Sequence, residues 1–428
     1  MRRKAIENLI KWKEYENRKP VIITGAKGVG KTYLAYDFAK SFFQHIHYIN
    51  FERDNTLKGM LSGSDSSNAI STLKRYTDYI DESEPMNHIL ILDEISHCQD
   101  IKYLMNLLTA SDLFPYIIAI SSNPVPVNVG EEYISLTLYP LEFDEFLLAT
   151  ANEWYIEAII NTFGSNKELP GIVHKELLDL HQLYLQIGGM PGILNEYLNL
   201  SGTINIREQQ NMLISAYHDY ILKEGSDGDS VKMNQVIDCL AQQLTKENRK
   251  FQYKLIRKGT THAMYKGAIQ KLAERKYILK CCKLADEELN TMHKAITDQE
   301  WNSSNSNFKL YYSDTGLLSC KIAEEESLQI SPYRTTALLE NYIAQSLQTK
   351  DYPFGFWESG SMAKIDFIYE KDHTIIPIEL FDSDNTRSKS IHILKQKCDF
   401  PYAIKISSRN FSSSNNIRYI PYYAVFCL

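Results

Sequence analysis

Val21-Ile22-Ile23-Thr24-Gly25-Ala26-Lys27-Gly28-Val29-Gly30-Lys31-Thr32 decides the fold of this chain. Its first four residues are an apolar run with strand character. Its last eight satisfy G-x-x-x-x-G-K-[ST], a phosphate-binding loop that needs a strand before it and a helix after it. The glycines let the backbone curl through positive φ, so that consecutive N–H groups and the N-terminus of the next helix face one anion. Lys31 is expected to reach the β- and γ-phosphates and Thr32 to ligate magnesium. Gly25, Ala26, Lys27, Gly28, Val29, Gly30, Lys31 and Thr32 are therefore the expected nucleoside-triphosphate-binding residues, a Walker A loop.

Working outward, His88-Ile89-Leu90-Ile91-Leu92 is apolar without alternation, as a strand buried on both faces of a parallel sheet is. It ends in Asp93-Glu94. A carboxylate at the carboxyl end of a central strand, beside the phosphate loop, suits Asp93 to hold Mg2+ through its water shell. Glu94 would then polarise the attacking water, which completes a Walker B pair. A third buried run, Tyr116 to Ile120, ends in Ser121-Ser122-Asn123, so Ser122 and Asn123 are candidates to sense the γ-phosphate or orient water. An acid pair after one strand and polar residues after another describe a hydrolytic ATPase of the additional-strand type. Tyr48-Ile49-Asn50-Phe51 supplies a further strand. Thr32 to Phe43 and Ile101 to Ala110 carry helical spacing, so residues 1–150 read as a doubly wound α/β domain. Met1 to Tyr15 reads as a charged amphipathic helix, because no apolar core follows its basic residues as a secretory signal would require.

The global bounds agree with a large intracellular protein. A chain of 428 residues has room for two to four domains with full cores. No apolar stretch approaches the roughly 20 residues a membrane span needs. The seven cysteines are scattered, odd in number and lack metal-binding spacing, so thiols in a reducing cytoplasm are expected. A formal charge of −7 gives no general attraction to nucleic acid, and any DNA contact must come from a local basic patch.

Such a patch lies in residues 246–258, where Lys246, Arg249, Lys250, Lys254, Arg257 and Lys258 cluster. Around it, Val236 to Leu244, Tyr253 to Arg257 and a segment capped by Thr260 or Thr261 read as three helices. Tyr277 to Lys280 and Phe308 to Tyr312 read as strands of a wing. That order is a winged helix, assigned to residues 226–300, whose third helix can enter a DNA major groove. Before it, residues 151–225 read as a helical lid over the nucleotide. It is interrupted at Gly188-Gly189-Met190-Pro191, where glycines break one helix and proline starts another, and it ends near the polar loop Lys223 to Ser230.

Residues 301–428 have a different grammar. Leu338 to Leu347 is a helix carrying Glu340. Gly355 to Glu358, Ile365 to Ile368 and Ile375 to Leu380 are three strands, and Tyr419 to Phe426 reads as a last one. Asp366 and Glu379 on neighbouring strands, with Glu340 from the helix, form the arrangement by which restriction-enzyme-like nucleases hold a divalent metal against a phosphodiester. Those nucleases want Glu-x-Lys at the last position. Here it is Glu379-Leu380-Phe381, with Lys364 as the nearest substitute, so the domain reads as a degenerate nuclease fold without cleavage activity. Asp366 and Glu379 are expected to retain weak metal binding.

The ordered set of segments resembles the bacterial and archaeal AAA-type ATPases that carry a C-terminal restriction-endonuclease-like domain of unknown function, the DUF4143 group. The blocks that carry the resemblance are Gly25 to Thr32, Ile91 to Ile95, Tyr139 to Phe146, Gly188 to Pro191, Lys309 to Leu318, Leu339 to Asn341, Ile365 to Phe367, Pro377 to Glu379 and Asn385 to Ser390. The resemblance implies ATP with Mg2+, a winged-helix linker and no securely known cellular substrate. Ser96 stands where a glutamine usually follows the acid pair. Gly130-Glu131 stands where Gly-Arg is common, which removes the expected arginine for a neighbouring nucleotide. Three functions follow as expectations: a nucleotide-controlled switch that engages a partner, a DNA-binding or DNA-processing ATPase acting through 246–258, and a protein-interaction module stabilised by nucleotide.

Overall fold

The computed structural model describes residues 1–16, 18–54, 66–77, 85–98, 100–110, 114–125, 132–200, 205–224, 228–292, 294, 296, 307–325, 331–360, 362–381 and 389–428. The chain divides into two compact units, Met1–Tyr139 and Pro140–Leu428. Gly130-Glu131, the serine- and asparagine-rich stretch before Asn307, and most of Asn385 to Ser390 lie outside the described residues.

The first unit is built on a parallel sheet of β1 (Val21–Thr24), β2 (His45–Asn50), β3 (His88–Asp93), β4 (Ile117–Ser121) and β5 (Ile134–Thr137). Their spatial order is β2-β3-β4-β1-β5. Strand β4 is thus inserted between the strand that feeds the glycine loop and the strand that ends in the acids, which is the additional-strand arrangement expected from the sequence. Every residue of β3 and β4 is buried, because each strand has a neighbour on both edges and helices on the sheet faces. One face packs Ile22, Leu90, Leu92 and Ala119 against Leu104, Met105 and Leu108 of helix α4 (Ile101–Ala110), reached after α1 (Ile6–Glu14), α2 (Lys31–Phe42) and α3 (Ser66–Tyr76). The register sets Thr24 beside Ser121 and Asn50 beside Asp93, so the polar ends of four strands emerge along one edge.

The second unit opens with helices α5 (Phe143–Ala149), α6 (Trp154–Ser165), α7 (Gly171–Ile187), α8 (Pro191–Asn199) and α9 (Ile206–Glu224), then α10 (Asp229–Leu244) and α11 (His262–Glu274). An eight-stranded sheet follows, in the order β12-β13-β11-β10-β9-β8-β6-β7. Its strands are β6 (Ile278–Leu284), β7 (Phe308–Tyr312), β8 (Phe354–Ser359), β9 (Ala363–Lys371), β10 (Thr374–Leu380), β11 (Ala403–Ser407), β12 (Ser412–Ser414) and β13 (Ile417–Pro421). Helices α12 (Thr315–Glu325), α13 (Arg334–Thr349) and α14 (Lys389–Lys395) belong to the same unit.

Three expectations are corrected here. The pair read as a wing, Tyr277 to Lys280 and Phe308 to Tyr312, is β6 and β7, and β6 pairs in parallel with β8. The wing is therefore two strands of the C-terminal sheet, and the boundary drawn at residue 300 falls between paired strands. The stretch read as a lid is fastened to that sheet's helices rather than standing alone. Gly189 N–H donates to Asp314 Oδ2 at 2.6 Å and Gln345 Nε2 donates to Tyr184 Oη at 3.0 Å, and just ahead of the stretch Glu142 Oε1 meets Lys350 Nζ at 2.7 Å. The last apolar segment is a strand only as far as Pro421. Tyr422–Cys427 winds into a short 3-10 helix whose Tyr423, Ala424, Val425 and Phe426 are buried, since burial on several sides suits a turn as well as a strand.

Among the described residues, no helix is long and apolar enough to cross a membrane. No disulfide joins any of the seven cysteines.

Candidate functional site

The glycine loop has the backbone its sequence demands. Gly25, Gly28 and Gly30 take φ values of 141°, 87° and 93°. A Cβ on Gly25 would lie 2.2 Å from the carbonyl oxygen of Leu138, so that position has no room for a side chain. Gly30 in the left-handed region turns the chain into α2, which starts at Lys31. Arg3, buried near the N-terminus, braces the loop from behind: its guanidinium donates to Val29 O at 2.7 Å and to Tyr139 O at 2.6 Å. Lys27, at the loop's outer edge, pairs with Glu52 at 3.1 Å.

Lys31 sits in the concavity with its ammonium donating to Gly25 O at 2.8 Å, Ala26 O at 3.0 Å and Ser122 Oγ at 2.9 Å. Burial pulls its pKa down to about 8, and Glu94 and then Asp93 oppose that fall. Ser122 in turn holds both oxygens of Glu94: its hydroxyl donates to Oε1 at 2.5 Å and its N–H to Oε2 at 3.1 Å. Glu94 adopts φ 49°, a left-handed conformation uncommon for a residue with a side chain. Lysine, serine and glutamate thus form one continuous network in the buried floor of the loop.

Asp93 is organised separately. Thr32 Oγ1 donates to its Oδ2 at 2.9 Å, and Tyr48 Oη donates to the same oxygen at 2.7 Å. Asn50 Nδ2 donates to the Tyr48 hydroxyl at 3.1 Å. Burial, with Asp93 adding to it against the Asn50 hydrogen bond, pushes the Tyr48 pKa up to about 12, so the phenol stays a donor. Asn123 is brought to the strand end but turned aside, its amide donating to Ser96 Oγ at 3.3 Å. Sequence reasoning quoted Tyr48 and Asn50 only as strand residues. The available signal was register: a residue paired with the acid-bearing strand's last position must end at the same edge.

The residues fit a nucleotide with magnesium. The loop is a cradle with no room for a Cβ at Gly25, its lysine donates among the described residues to two carbonyls and a hydroxyl, and Thr32 and Asp93 present adjacent oxygens of the hard type Mg2+ prefers.

The second unit places the three C-terminal acids differently from a metal centre. Glu340, fully buried, pairs through Oε1 with Arg249 Nη2 at 2.8 Å and accepts at Oε2 from Lys309 Nζ at 3.2 Å and Tyr311 Oη at 2.9 Å. Burial alone would raise its pKa, but Lys309, Arg249 and Lys364 outweigh it and hold the carboxyl down at about 2. Asp366 pairs with Lys364 at 2.9 Å and accepts the Leu380 N–H at 2.9 Å. Glu379 pairs at 3.3 Å with Lys405, its register partner on β11. Each acid has its own cation, and among the described residues no group of three or more metal-ligating side chains could hold an ion. The basic segment is partly consumed by these contacts: Arg249 serves Glu340 and Lys250 pairs with Glu358 at 2.5 Å.

A parallel sheet with an inserted strand, a glycine cradle at the end of β1 and an acid pair at the end of β3 define a P-loop ATPase fold of the AAA type. Residues 17–147 match the AAA domain family, and residues 335–425 match the DUF4143 family, a domain of unknown function. The chain therefore joins an AAA-type ATPase domain to a C-terminal DUF4143 domain. Residues 178–328, between them, match a further domain of unknown function, DUF8612. No curated protein matches the chain. Among solved structures, a Walker-type ATPase of Pyrococcus abyssi is similar at 13% identity over 75% of this chain and 95% of its own, with a TM-score of 0.41. The Orc1 protein of Aeropyrum pernix, solved in complex with DNA, is similar at 13% identity over 75% and 91%, with a TM-score of 0.30. A signal transduction ATPase with numerous domains from Pyrococcus horikoshii is similar at 15% identity over 82% and 45%, with a TM-score of 0.30.

Proposed function

We propose that the chain is a Mg2+-dependent ATPase that works as a nucleotide-controlled switch, with Ser122 coupling nucleotide to the catalytic carboxylate. The observation that carries this reading is that one hydroxyl touches both the loop lysine and Glu94. Bound Mg-ATP supplies the scissile phosphoanhydride and a cation that offsets the charge on it. Lys31 leaves the carbonyls of Gly25 and Ala26 for phosphate oxygens, because an ammonium gains more from an anion than from neutral acceptors. That withdrawal removes a donor from Ser122 Oγ and loosens its grip on Glu94. Glu94 Oε1, released, accepts a proton from the attacking water. Thr32 and Asp93 would hold the magnesium, which would offset phosphate charge there, with Tyr48 fixing the Asp93 carboxylate.

Equilibrium binding of a fluorescent ATP analogue and steady-state hydrolysis test this in three variants. Lys31→Ala is expected to lose binding, Glu94→Gln to bind without turnover, and Ser122→Ala to bind normally with an altered rate. Retained affinity in Lys31→Ala overturns the assignment.

A DNA-linked role is the second reading, favoured by Lys254, Arg257 and Lys258, which are exposed around the turn before α11. DNA-stimulated turnover that falls steeply with salt would move it ahead.

A further inference from the structure

The second unit contains an open polar cavity of about 700 Å³ whose wall includes Arg249, Lys250, Lys309, Tyr333, Thr336 and Lys364. That volume lies within the usual range for a small-ligand site. Its floor is electrically incomplete. Arg249 and Lys309, both buried, share the single carboxylate of Glu340, and Lys364 is matched by Asp366. Three cations therefore face two carboxylates. Lys250 is neutralised by Glu358, and Glu247, exposed at the rim, is screened by water. Buried Arg249 also keeps an unused donor: its Nε–H meets no acceptor among the described residues, and its Nη1 reaches only Lys246 O at 3.4 Å. An unsatisfied guanidinium N–H beside an ammonium and a threonine hydroxyl is the donor set that takes an oxyanion in a forked grip.

We propose that this cavity binds a phosphate group directly, through Arg249 and Lys364 and without a metal ion. The chemistry is that of a phosphate ester, and two sources share it: a free nucleotide or inorganic phosphate, and the phosphodiester of a nucleic-acid strand. Glu340 and Asp366 behind the wall are each engaged by cations, Glu340 by Arg249 and Lys309 and Asp366 by Lys364, so the grip on the phosphate comes from those cations. This inference is independent of the ATPase reading, since it concerns residues of the second unit alone.

The test uses full-length protein carrying Lys31→Ala, so that the glycine loop does not contribute. Inorganic phosphate, AMP and a fluorescein-labelled single-stranded oligonucleotide are titrated in EDTA at low salt by calorimetry and anisotropy. At least one probe is expected to bind, and Lys364→Gln to weaken it roughly tenfold or more, the loss of one charge-assisted hydrogen bond. Arg249→Gln is expected to do the same, and Lys364→Gln, on a half-exposed side chain, carries the test where Arg249→Gln does not fold. Phosphate or AMP binding identifies a small-molecule site, whereas oligonucleotide binding alone identifies a nucleic-acid site. No binding by any probe, binding that needs Mg2+, or binding unchanged in Lys364→Gln overturns the proposal.

Discussion

Replacing Glu340 by alanine separates a structural carboxylate from a metal ligand. The side chain is fully buried and is the shared counter-ion of Arg249 and Lys309, while Tyr311 donates to it as well. Truncation leaves two buried cations side by side with no anion between them. Breaking a buried pair costs about 3–5 kcal/mol, and two orphaned partners place this case near the upper end. For a unit of this size about 1 kcal/mol corresponds to roughly 2–4 °C, so a fall in Tm on the order of 10 °C is expected. Differential scanning calorimetry at pH 7 measures it. A metal-ligand role predicts the opposite sign, because removing one acid from a like-charged cluster relieves repulsion. The pH dependence provides a second check. The folded carboxyl titrates near 2, below its ordinary value of 4.5. Its contribution is therefore present above about pH 4.5 and is lost as pH falls toward 2, and that acid-range slope should be absent from the variant. A Tm within about 2 °C of wild type, or a Tm that rises, would refute the argument.

Two further outcomes follow from the same reasoning. Lys31 in the free protein titrates near 8, and phosphates favour its charged form. ATP affinity should hold below that pH and fall above it, with proton uptake on binding visible in calorimetry across buffers of different ionisation heat. Gly188 has φ 83°, and a Cβ there would lie 2.3 Å from Asp314 Oδ1 and 2.8 Å from Gly316 Cα. Gly188→Ala should cost several kcal/mol of the second unit's stability, at the high end for a strained and overpacked site, as read by urea unfolding.

The glycine loop and the acid pair beside it were legible because their signal is local. A glycine cradle, the lysine that follows it and two acids after an apolar run all declare themselves within a few residues, whereas the strand order that unites them is seen only in the structure. Tyr48, Asn50 and Arg3 were not legible as site residues. Each acts across sequence separations that only strand register or a long-range contact reveals, as when Arg3 reaches Val29 and Tyr139. The wing was misplaced for a related reason. The apolar and aromatic content of β6 and β7 marks them as strands, but not whether their free edge meets solvent or β8. The basic run misled similarly, since a sequence cannot show that Arg249 faces a buried glutamate. Gly188 was visible as a helix breaker, and its close approach to Asp314 was not.

The fastening of the helices to the C-terminal sheet changes where a switch can act. Motion between lid and C-terminal domain would have to break the Gly189–Asp314, Tyr184–Gln345 and Glu142–Lys350 contacts, all of them buried or half-buried. The chain passes from the first unit to the second after Tyr139. Arg3 links that place to the nucleotide loop, because the same guanidinium holds Val29 O in the loop and Tyr139 O at the chain's exit from the first unit. A shift of the loop on phosphate binding must therefore pull on the exit. Arg3→Met preserves much of the packing volume and removes both bonds. It should leave ATP binding within about tenfold of wild type, a loss of one or two charged hydrogen bonds at most. It should also abolish any ATP-dependent change in amide exchange around Leu138 and Tyr139, measured by mass spectrometry. An ATP-dependent change at those amides that is as large in Arg3→Met as in wild type would show that the loop signals to the exit by another route.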